Sequence, residues 1–295
     1  MLIYLKDSRI FIKVQKEMRI KEYLYSLNIF SSNLINRVIK NRDVAFADGK
    51  KIGKNRKIKK GEEIAVFIGD RELSDYKPIK GDLEIIYEDD LFLIINKQPN
   101  EILFYTSTND RPCIASYVQQ HFIENDIVAK IRFVNRLDRD TSGILIIAKS
   151  SFAHNFIFQN HIKTYYGISQ KYYRTSCVIN HSLLRRMPYT YICDKEGKRS
   201  LTRFRQLLNK RNYSLIAFKL LTGRTHQIRA HMSYEGFPLV GDKGYGGLKI
   251  DFVDRQLLHC GTVSFLHPIS RKRVRVRAPF KRDFKRFIDE FMIKY

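Results

Sequence analysis

Cysteine is scarce in this sequence, and the spacing of the few that occur excludes a common class of site. There are four, none within four positions of another: Cys113, Cys177, Cys193 and Cys260. The C-x-x-C arrangement of many zinc and redox sites is therefore missing, and free thiols in a reducing cytosol are the simplest interpretation. His226 and His231 lie about 140° apart around a helix, which suits a shared metal poorly. We expect no metal site.

Long apolar runs are missing as well. No run approaches the ~20 residues that a membrane-spanning helix needs. The first eleven residues carry Lys6, Asp7 and Arg9, and their apolar stretch is too short for a signal peptide. We expect a soluble, cytoplasmic protein without membrane contact and, by default, a monomer.

Acidic residues are outnumbered by basic ones. The 295 residues include 54 Lys and Arg against 30 Asp and Glu, a formal net charge of +24. A polyanionic partner such as nucleic acid follows naturally, because each neutralised phosphate releases counterions. A basic surface without a specific partner, or one that meets a membrane surface, remains an alternative.

The first 69 residues read as a small unit with two short helices followed by a hairpin. Apolar residues recur at helical spacing over 20–27 and 34–39, and Ser31 or Ser32 can cap the second helix. Asp48-Gly49 indicates a turn, and apolar residues alternate over 64–68 as in a strand. Residues 70–82 are predicted to be a linker, and the main domain is predicted to span 83–295.

A dense basic run lies inside the small unit. Seven basic and no acidic residues occur between positions 50 and 60. A solvated loop is the ordinary interpretation of such a run, but its place in a small folded unit favours RNA contact. The candidate binding residues are Lys51, Lys54, Arg56 and Lys57.

The remainder of the chain mixes strands and helices. Continuous apolar runs at 91–95 and 144–148 predict buried strands, and residues 213–221 predict a long strand. Helical patterns cover 114–123 and 280–292. The sequence therefore predicts an α+β fold with a mainly antiparallel mixed sheet flanked by helices, preceded by the small α/β unit.

The segment Arg136-Leu137-Asp138-Arg139-Asp140-Thr141-Ser142-Gly143 carries the densest chemistry. A carboxylate between arginines stays ionised and can act as a nucleophile or base. Two alternatives stay open. The segment can be a salt-bridged turn without chemistry, or Asp138 and Asp140 can form the carboxylate pair of a glycosidase or nuclease.

Two further segments carry candidate side chains. In Gly223-Arg224-Thr225-His226-Gln227-Ile228-Arg229, Gly223 permits a tight turn and Thr225 can cap a helix from His226 to about Tyr234. A catalytic role for this segment and simple phosphate binding by a basic helix are equally open. In Lys171-Tyr172-Tyr173, a tyrosine can stack on a base or carry a proton.

Together these segments resemble the RluA-type RNA pseudouridine synthases. The similarity runs from about residue 83 to 287 and includes 136–143, 223–229, 238–242 and Leu258-His259-Cys260. The first unit resembles the alpha-L RNA-binding motif often fused ahead of this domain. The resemblance implies an enzyme that isomerises uridine to pseudouridine in structured RNA without a cofactor.

The resemblance also implies roles for individual residues. Asp138 would be the essential carboxylate and Arg229 its partner. Tyr173 would stack on the uracil, and Arg136 would fill the space left by the flipped base. Arg224 is a candidate for the same neighbourhood, and Leu258 would line the pocket.

The sequence departs from the family pattern at two places. Asn135 stands where His usually precedes Arg-Leu-Asp, and residues 98–105 differ at the expected pocket rim, where Asn100 can replace Gly in a left-handed turn. The fused RNA-binding unit favours large-subunit ribosomal RNA over transfer RNA. A pseudouridine synthase that acts on transfer RNA and a non-catalytic RNA-binding or ribosome-assembly protein remain alternatives.

Overall fold

The N-terminal unit consists of two helices and two small antiparallel sheets. The computed structural model describes residues 3–105, 112–170, 176–186 and 190–293. The helices are α1 (Ile20–Ser26) and α2 (Ser32–Lys40). The larger sheet has the order β1-β2-β6-β4, with β1 Ile3–Lys6, β2 Arg9–Lys13, β4 Val44–Phe46 and β6 Glu63–Phe67; β3 (Met18–Arg19) pairs with β5 (Lys57–Ile58).

The sequence predicted both helices of this unit but missed its first two strands. The Ser31 hydroxyl accepts a hydrogen bond from Leu34 N at 3.3 Å, so Ser31 rather than Ser32 caps α2. Gly49 has φ +89°, which confirms the turn at Asp48-Gly49. Strands β1 and β2 form a hairpin ahead of α1 and complete the sheet by pairing with β6.

The rest of the chain is built on a ten-stranded mixed sheet, which gives the molecule an α+β fold. Its main path is β12-β15-β16-β11-β17-β10-β8-β7, with β18 beside β17 and β9 beside β10. Among the described strand pairs only β10 and β17 run parallel. The strands are β7 Ile85–Glu88, β8 Phe92–Lys97, β9 Arg132–Phe133, β10 Ser142–Ala148, β11 His161–Gln170, β12 Ser176–Asn180, β15 Leu201–Lys210, β16 Tyr213–Leu220, β17 Leu258–Leu266 and β18 Arg273–Arg277.

Helices and one separate hairpin surround this sheet. The helices are α3 Ile114–Glu124, α4 Ser151–Gln159, α5 Gln227–Tyr234 and α6 Arg282–Ile288, followed by one π-turn at Asp289–Ile293; β13 (Leu183–Arg186) and β14 (Thr190–Cys193) form the hairpin. Every residue of β8 and β10 is buried, as their continuous apolar runs predicted. Within the described ranges, every helix falls short of the length and apolarity that a membrane crossing requires.

The N-terminal unit packs against the larger half of the chain. The rings of Phe30 and Phe152 lie 5.5 Å apart, and Arg132 forms a two-pronged ion pair with Asp70 at 2.5 and 2.9 Å. Residues 70–82, predicted to be a linker, contain neither helix nor strand. The connecting segment is therefore anchored along the surface of the larger half.

Candidate active site

The carboxylate of Asp138 sits on a short loop between β9 and β10. Thr141 N donates a hydrogen bond to Asp138 O at 3.0 Å, which closes the loop into a turn. The side chain of Asp138 is 26% exposed. It is thus accessible to a bound substrate while its backbone is fixed.

Two residues fasten this loop to the strand that follows it. The amide of Asn135 donates to Ile144 O at 3.0 Å and accepts from Ile146 N at 2.9 Å. Gly143 has φ +109°, and a Cβ there would stand 2.3 Å from Cys260 O on β17. Asn135, a departure from the family pattern, therefore serves as a two-sided anchor, and Gly143 permits the close parallel pairing of β10 with β17.

Two buried cations hold the backbone carbonyls of the same loop. Lys97 is 1% exposed, and its Nζ donates to Arg139 O at 2.7 Å as well as to the carbonyls of residues 98 and 101. Arg255 Nη1 donates to Asp140 O at 3.0 Å while its guanidinium pairs with Asp283 at 2.6 and 2.9 Å. Burial lowers the pKa of Lys97 to about 8. Buried polar groups satisfied in this way make the loop rigid.

The predicted partner of Asp138 is present, but it has a stronger partner of its own. Arg229 Nη1 lies 3.6 Å from Asp138 Oδ2. The same guanidinium donates two hydrogen bonds of 2.8 Å to Asp242, whose side chain is completely buried. Two-pronged geometry fixes the plane of a guanidinium. Asp242 therefore orients Arg229, and Arg229 presents its free edge to Asp138.

The N-terminus of α5 brings His226 to the site. The helix agrees with the sequence prediction, but its N-cap is His226, with φ +54°, and the prediction that Thr225 caps it was wrong. His226 Nε2 lies 3.9 Å from Asp138 Oδ2. Burial lowers the pKa of His226, outweighing the nearby carboxylate, so the imidazole is neutral near pH 7. Arg229 is therefore the cation that faces Asp138.

Tyr245 contacts both Arg229 and His226. Its ring centroid lies 4.8 Å from the Arg229 guanidinium carbon, and its hydroxyl lies 3.1 Å from His226 Nδ1 and accepts from Tyr191 N at 2.8 Å. Burial raises the pKa of Tyr245 to about 12, so it stays protonated. The aromatic face and the hydroxyl together limit the positions open to Arg229 and His226.

The remaining predicted residues fall into different environments. Arg136 is exposed beside Asp138, and Leu258 is buried at the start of β17, opposite Gly167. The side chain of Arg224 is exposed and donates from Nε to Arg199 O at 3.5 Å, while its backbone N donates to Gln227 Oε1 at 3.0 Å. Tyr173 lies outside the described residues, so its predicted role remains a prediction.

Tyr165 was missed by the sequence reasoning. It is buried on β11, where the pairing with β17 shifts register between Thr164 and Tyr165 and sets Tyr165 across from Cys260. Burial, Cys260 and the charge of Asp138 all raise its pKa. A bulge of this kind re-aims a side chain towards a site. The only sequence signal was its place in an apolar stretch, because its proximity to Asp138 depends on long-range strand pairing.

Asp242 and Lys97 are two supporting residues for which the sequence carried a signal. Both lie in stretches compared with the family pattern, at 238–242 and near residue 97, but single-sequence reasoning gave neither a partner. Asn100 has φ +63°, the left-handed conformation expected there. The departure from glycine at this turn is therefore accommodated by the backbone.

Asp138 and Asp140 have different partners. The carboxylate of Asp140 accepts hydrogen bonds from Nε and Nη2 of Arg139, each at 3.1 Å, and so forms an ion pair with its neighbour. Across the described ranges, no group of three or more His, Cys, Asp or Glu is arranged to hold a metal ion. The arrangement suits nucleophilic or base chemistry by Asp138 beside a fixed positive charge.

The basic residues predicted to contact RNA lie on the surface of the N-terminal unit. Lys51, Lys54, Arg56 and Lys57 are all exposed. Arg56 sits 5.9 Å above the Phe46 ring and 4.0 Å from Glu62. The other three extend from the loop and from β5. The geometry leaves these charges available to a polyanion.

Comparisons with known proteins agree with this architecture. A model of the RNA pseudouridylate synthase family matches residues 92–234, which include the Asp138 loop and α5. The Uncharacterized RNA pseudouridine synthase YjbO of Bacillus subtilis (strain 168) is 31% identical over 288 residues, covering 92% of this chain and 98% of that relative. The chain belongs to the RNA pseudouridine synthase family and is an enzyme of that class.

One further relative and two solved structures are similar to the chain over most of its length. The Ribosomal large subunit pseudouridine synthase D of Buchnera aphidicola subsp. Schizaphis graminum is 31% identical over 255 residues, covering 78% of this chain and 80% of its own. The solved structure of Human RNA Pseudouridylate Synthase Domain Containing 1 covers 68% of this chain and 84% of its own, with a TM-score of 0.54 at 25% identity. The solved structure of Human RNA Pseudouridylate Synthase Domain Containing 4, at 16% identity and a TM-score of 0.58, shares the fold over 70% of this chain and 91% of its own.

Proposed function

We propose that this enzyme isomerises specific uridines in large-subunit ribosomal RNA, with Asp138 as the reacting carboxylate. The observation that carries the proposal is the chain of contacts from buried Asp242 through Arg229 to the accessible Asp138. The ribosomal substrate is supported by the similarity to the Buchnera relative, which is named as a ribosomal large subunit pseudouridine synthase, and by the exposed basic residues of the N-terminal unit. Such a substrate also fits the cytoplasmic location and monomeric state expected from the sequence.

The reaction makes clear demands on the site. The bond between the sugar C1′ and N1 of uracil breaks, the base turns, and a new bond forms between C1′ and C5. The proton on C5 leaves and N1 gains one, so the product is an isomer of unchanged mass. An ionised Asp138 can act on the sugar as a nucleophile or take the C5 proton as a base.

Roles follow for the neighbouring residues. The target uridine must leave its stack, at a cost of a few kcal/mol, and exposed Arg136 is positioned on the loop to occupy the vacated space. Leu258 and Tyr165 are both buried; Leu258 is proposed to line the uracil pocket, and the stacking role stays proposed for Tyr173. Arg229 keeps a positive charge beside the reacting carboxylate. Arg224, exposed near the start of α5, is proposed to contact the RNA backbone.

A pseudouridine map of total RNA tests the substrate assignment. The map is recorded in a strain lacking the gene, and in the same strain carrying the wild type or Asp138→Asn. We expect specific large-subunit sites to disappear in the deletion strain, to return with the wild type and to stay absent with Asp138→Asn. Loss of transfer RNA sites alone would overturn the ribosomal assignment, and an unchanged map would favour a non-catalytic role.

A further inference from the structure

The larger sheet of the N-terminal unit has two faces of opposite character. Ile10, Ile12, Ile64 and Val66 point inwards and are completely buried. Their neighbours along β1, β2 and β6 point the other way, because successive side chains of a strand alternate between faces. We call this side the outer face; it carries Tyr4, Arg9, Phe11, Ala65 and Phe67, together with Lys6, Lys13 and Glu63 along the same strands.

Aromatic rings are grouped on the outer face by strand register. Tyr4 pairs across from Phe11, and their rings are stacked with centroids 4.8 Å apart and planes 2° apart. Phe67 pairs across from Arg9 on the neighbouring strand. Tyr4 is 38% exposed, and Phe11 and Phe67 are half-buried. These rings present flat, partly exposed surfaces, whereas an ordinary outer face would carry mainly polar groups.

A hollow lies beside these rings. Phe11 is followed across the sheet by two alanines, Ala65 and Ala45, so the surface drops where the side chains become small. The resulting cavity has a volume of about 430 Å³ and is walled by Phe11, Phe67 and Arg9. This volume falls in the range of ~300–1,000 Å³ typical of sites for small ligands.

Guanidinium groups surround the hollow. The guanidinium carbons of Arg9 and Arg71 lie 5.5 and 5.7 Å from the Phe67 centroid, one contributed by β2 and the other by the segment after β6. Arg42 and Lys51 also line the cavity. Asp43 is the acidic residue of the lining, and it is paired with Arg71 at 2.6 Å. The rim is therefore predominantly cationic.

The charges and rings together identify the chemistry of the ligand. Arginines attract phosphates, and aromatic rings stack with bases that are free of a duplex. An apolar peptide would not use the cationic rim, and duplex RNA would not use the rings. We propose that the outer face binds an unpaired segment of RNA, with a base in the hollow against Phe11 or Phe67 and its phosphates on Arg9, Arg42 and Arg71.

This inference names a second RNA contact for the enzyme and rests on RNA being its substrate. The outer face adjoins the basic loop at 50–60, because Lys51 lines the hollow, and it is separate in sequence from the Asp138 site. It is formed largely by the β1–β2 hairpin, which the sequence analysis missed. Its role is to hold a single-stranded part of the substrate while the catalytic half acts elsewhere.

Binding by the full chain tests the proposal. The affinities of a labelled single-stranded RNA ten-mer and of a duplex of the same length are measured by fluorescence anisotropy. Phe11→Leu and Phe67→Leu retain apolar bulk and remove the ring, Phe67→Tyr retains the ring, and Phe158→Leu alters an exposed ring on α4 as a matched control. Melting temperatures establish that each variant is folded.

We expect each leucine variant to weaken single-strand binding by about 5- to 100-fold, the range expected for loss of one stacked base. Duplex binding by the leucine variants should stay within about twofold of that of the wild type. Single-strand binding by Phe67→Tyr and Phe158→Leu should also stay within about twofold of the wild type, since neither variant removes a stacking ring from the hollow. Unchanged single-strand binding in both leucine variants would overturn the proposal. Equal loss for single strand and duplex would also overturn it, because stacking would not be the cause.

A crosslinking experiment provides a second measurement. Single-stranded RNA containing 4-thiouridine is irradiated with the wild-type chain, and the crosslinked peptides are identified by mass spectrometry. We expect crosslinks within residues 3–13, 42–47 and 63–71, which line the hollow, and crosslinks confined to other segments would contradict the inference. Isomerisation is assayed in parallel: an active enzyme whose leucine variants bind normally overturns only this inference, whereas an inactive chain with ring-dependent binding overturns only the proposed reaction.

Discussion

The Asp138 loop and the basic loop at 50–60 are both rich in charge, but they are constructed in opposite ways. At Asp138 the backbone carbonyls are held by buried Lys97 and Arg255, and the facing guanidinium is fixed by Asp242. In the basic loop the side chains extend into solvent. Bond rearrangement requires reacting groups fixed to a fraction of an ångström, whereas attraction of a polyanion requires only a high density of charge.

The difference predicts the consequence of a mutation in either loop. Removing one contact from the buried set leaves a charge or carbonyl without its partner, which costs more than the contact contributed. Removing one exposed lysine costs a small share of a distributed attraction. Catalysis should therefore be sensitive to single substitutions in the first region, and binding only weakly sensitive to them in the second.

Among the residues that support Asp138, the largest effect is expected for Asp242→Asn, which retains the shape of the side chain and removes its charge. Arg229 loses its two-pronged carboxylate partner and no longer holds one position beside Asp138. We expect kcat to fall by roughly 100-fold, the scale of a misplacement of about 1 Å, with unfolding easier by about 3–5 kcal/mol. Single-turnover kinetics and thermal melting measure the two effects, with exposed Asp254→Asn as the control; a normal kcat would show that Asp242 does not orient Arg229.

A smaller effect is expected for Lys97→Met, which retains length and removes the donor to Arg139 O. The freed carbonyls can recruit water, so we expect the loop to loosen and kcat to fall about 10-fold, with KM little changed. Exposed Lys249→Met serves as the matched variant. If the Lys97 variant lost RNA affinity but kept kcat, Lys97 would belong with binding and not with loop positioning.

A pH-dependent effect is expected from His259, also buried next to the loop. Its Nε2 donates to Ala278 O at 3.3 Å and its Nδ1 accepts from Ser142 Oγ at 2.9 Å, because a carbonyl can only accept. Burial lowers the pKa of His259 to about 4 from 6.5. Between these values the unfolded chain binds a proton that the folded chain does not, so stability is lost as pH falls from 6.5 to about 4, by ~3 kcal/mol.

Chemical denaturation across this pH range measures the His259 effect. His259→Gln retains an N–H for Ala278 O and cannot titrate, so the variant should lose less stability between pH 6.5 and 4 than the wild type. Equal losses in the two proteins would assign the acid sensitivity to other groups. The result would then show that His259, which is hydrogen-bonded to Ser142, is not the source of the pH dependence of stability.

The smallest effect is expected in the basic loop. Lys54→Ala or Lys57→Ala should weaken RNA binding by about 2- to 5-fold near physiological salt and lower the slope of log affinity against log salt by about one. The rate of isomerisation at saturating RNA should be unchanged. Titrations at several salt concentrations measure the slope; a large loss of kcat in either variant would erase the distinction between the two loops.

The sequence analysis named the facing pair of Asp138 and Arg229 but not the residues that hold it in place. Asp138 and Arg229 lie in dense polar segments that a single sequence makes visible. The helix carrying Arg229 was predicted from a local capping signal, although its N-cap is His226 and not Thr225. Tyr165 reaches the site only through the register of β11 on β17, and Lys97 acts on backbone carbonyls, which leave no trace in side-chain patterns. Such contacts are decided by tertiary packing.

The N-terminal unit illustrates the same limit. Helices α1 and α2 were predicted because apolar spacing is a local property. The hairpin of β1 and β2 is short, and its pairing with β6 joins residues fifty or more positions apart. The outer face and its ring-lined hollow could therefore be recognised only once the strands were paired.

Tritium release from RNA containing uridine labelled at C5 tests the central claim most directly, because the new glycosidic bond replaces the hydrogen at that carbon. The assay compares the wild type with Asp138→Asn under single-turnover conditions, after RNA affinity has been measured for both. We predict release by the wild type, none above background by Asp138→Asn, and RNA affinities within about threefold of each other because binding rests mainly on phosphate contacts. Release by Asp138→Asn at a rate near that of the wild type would show that another group performs the chemistry.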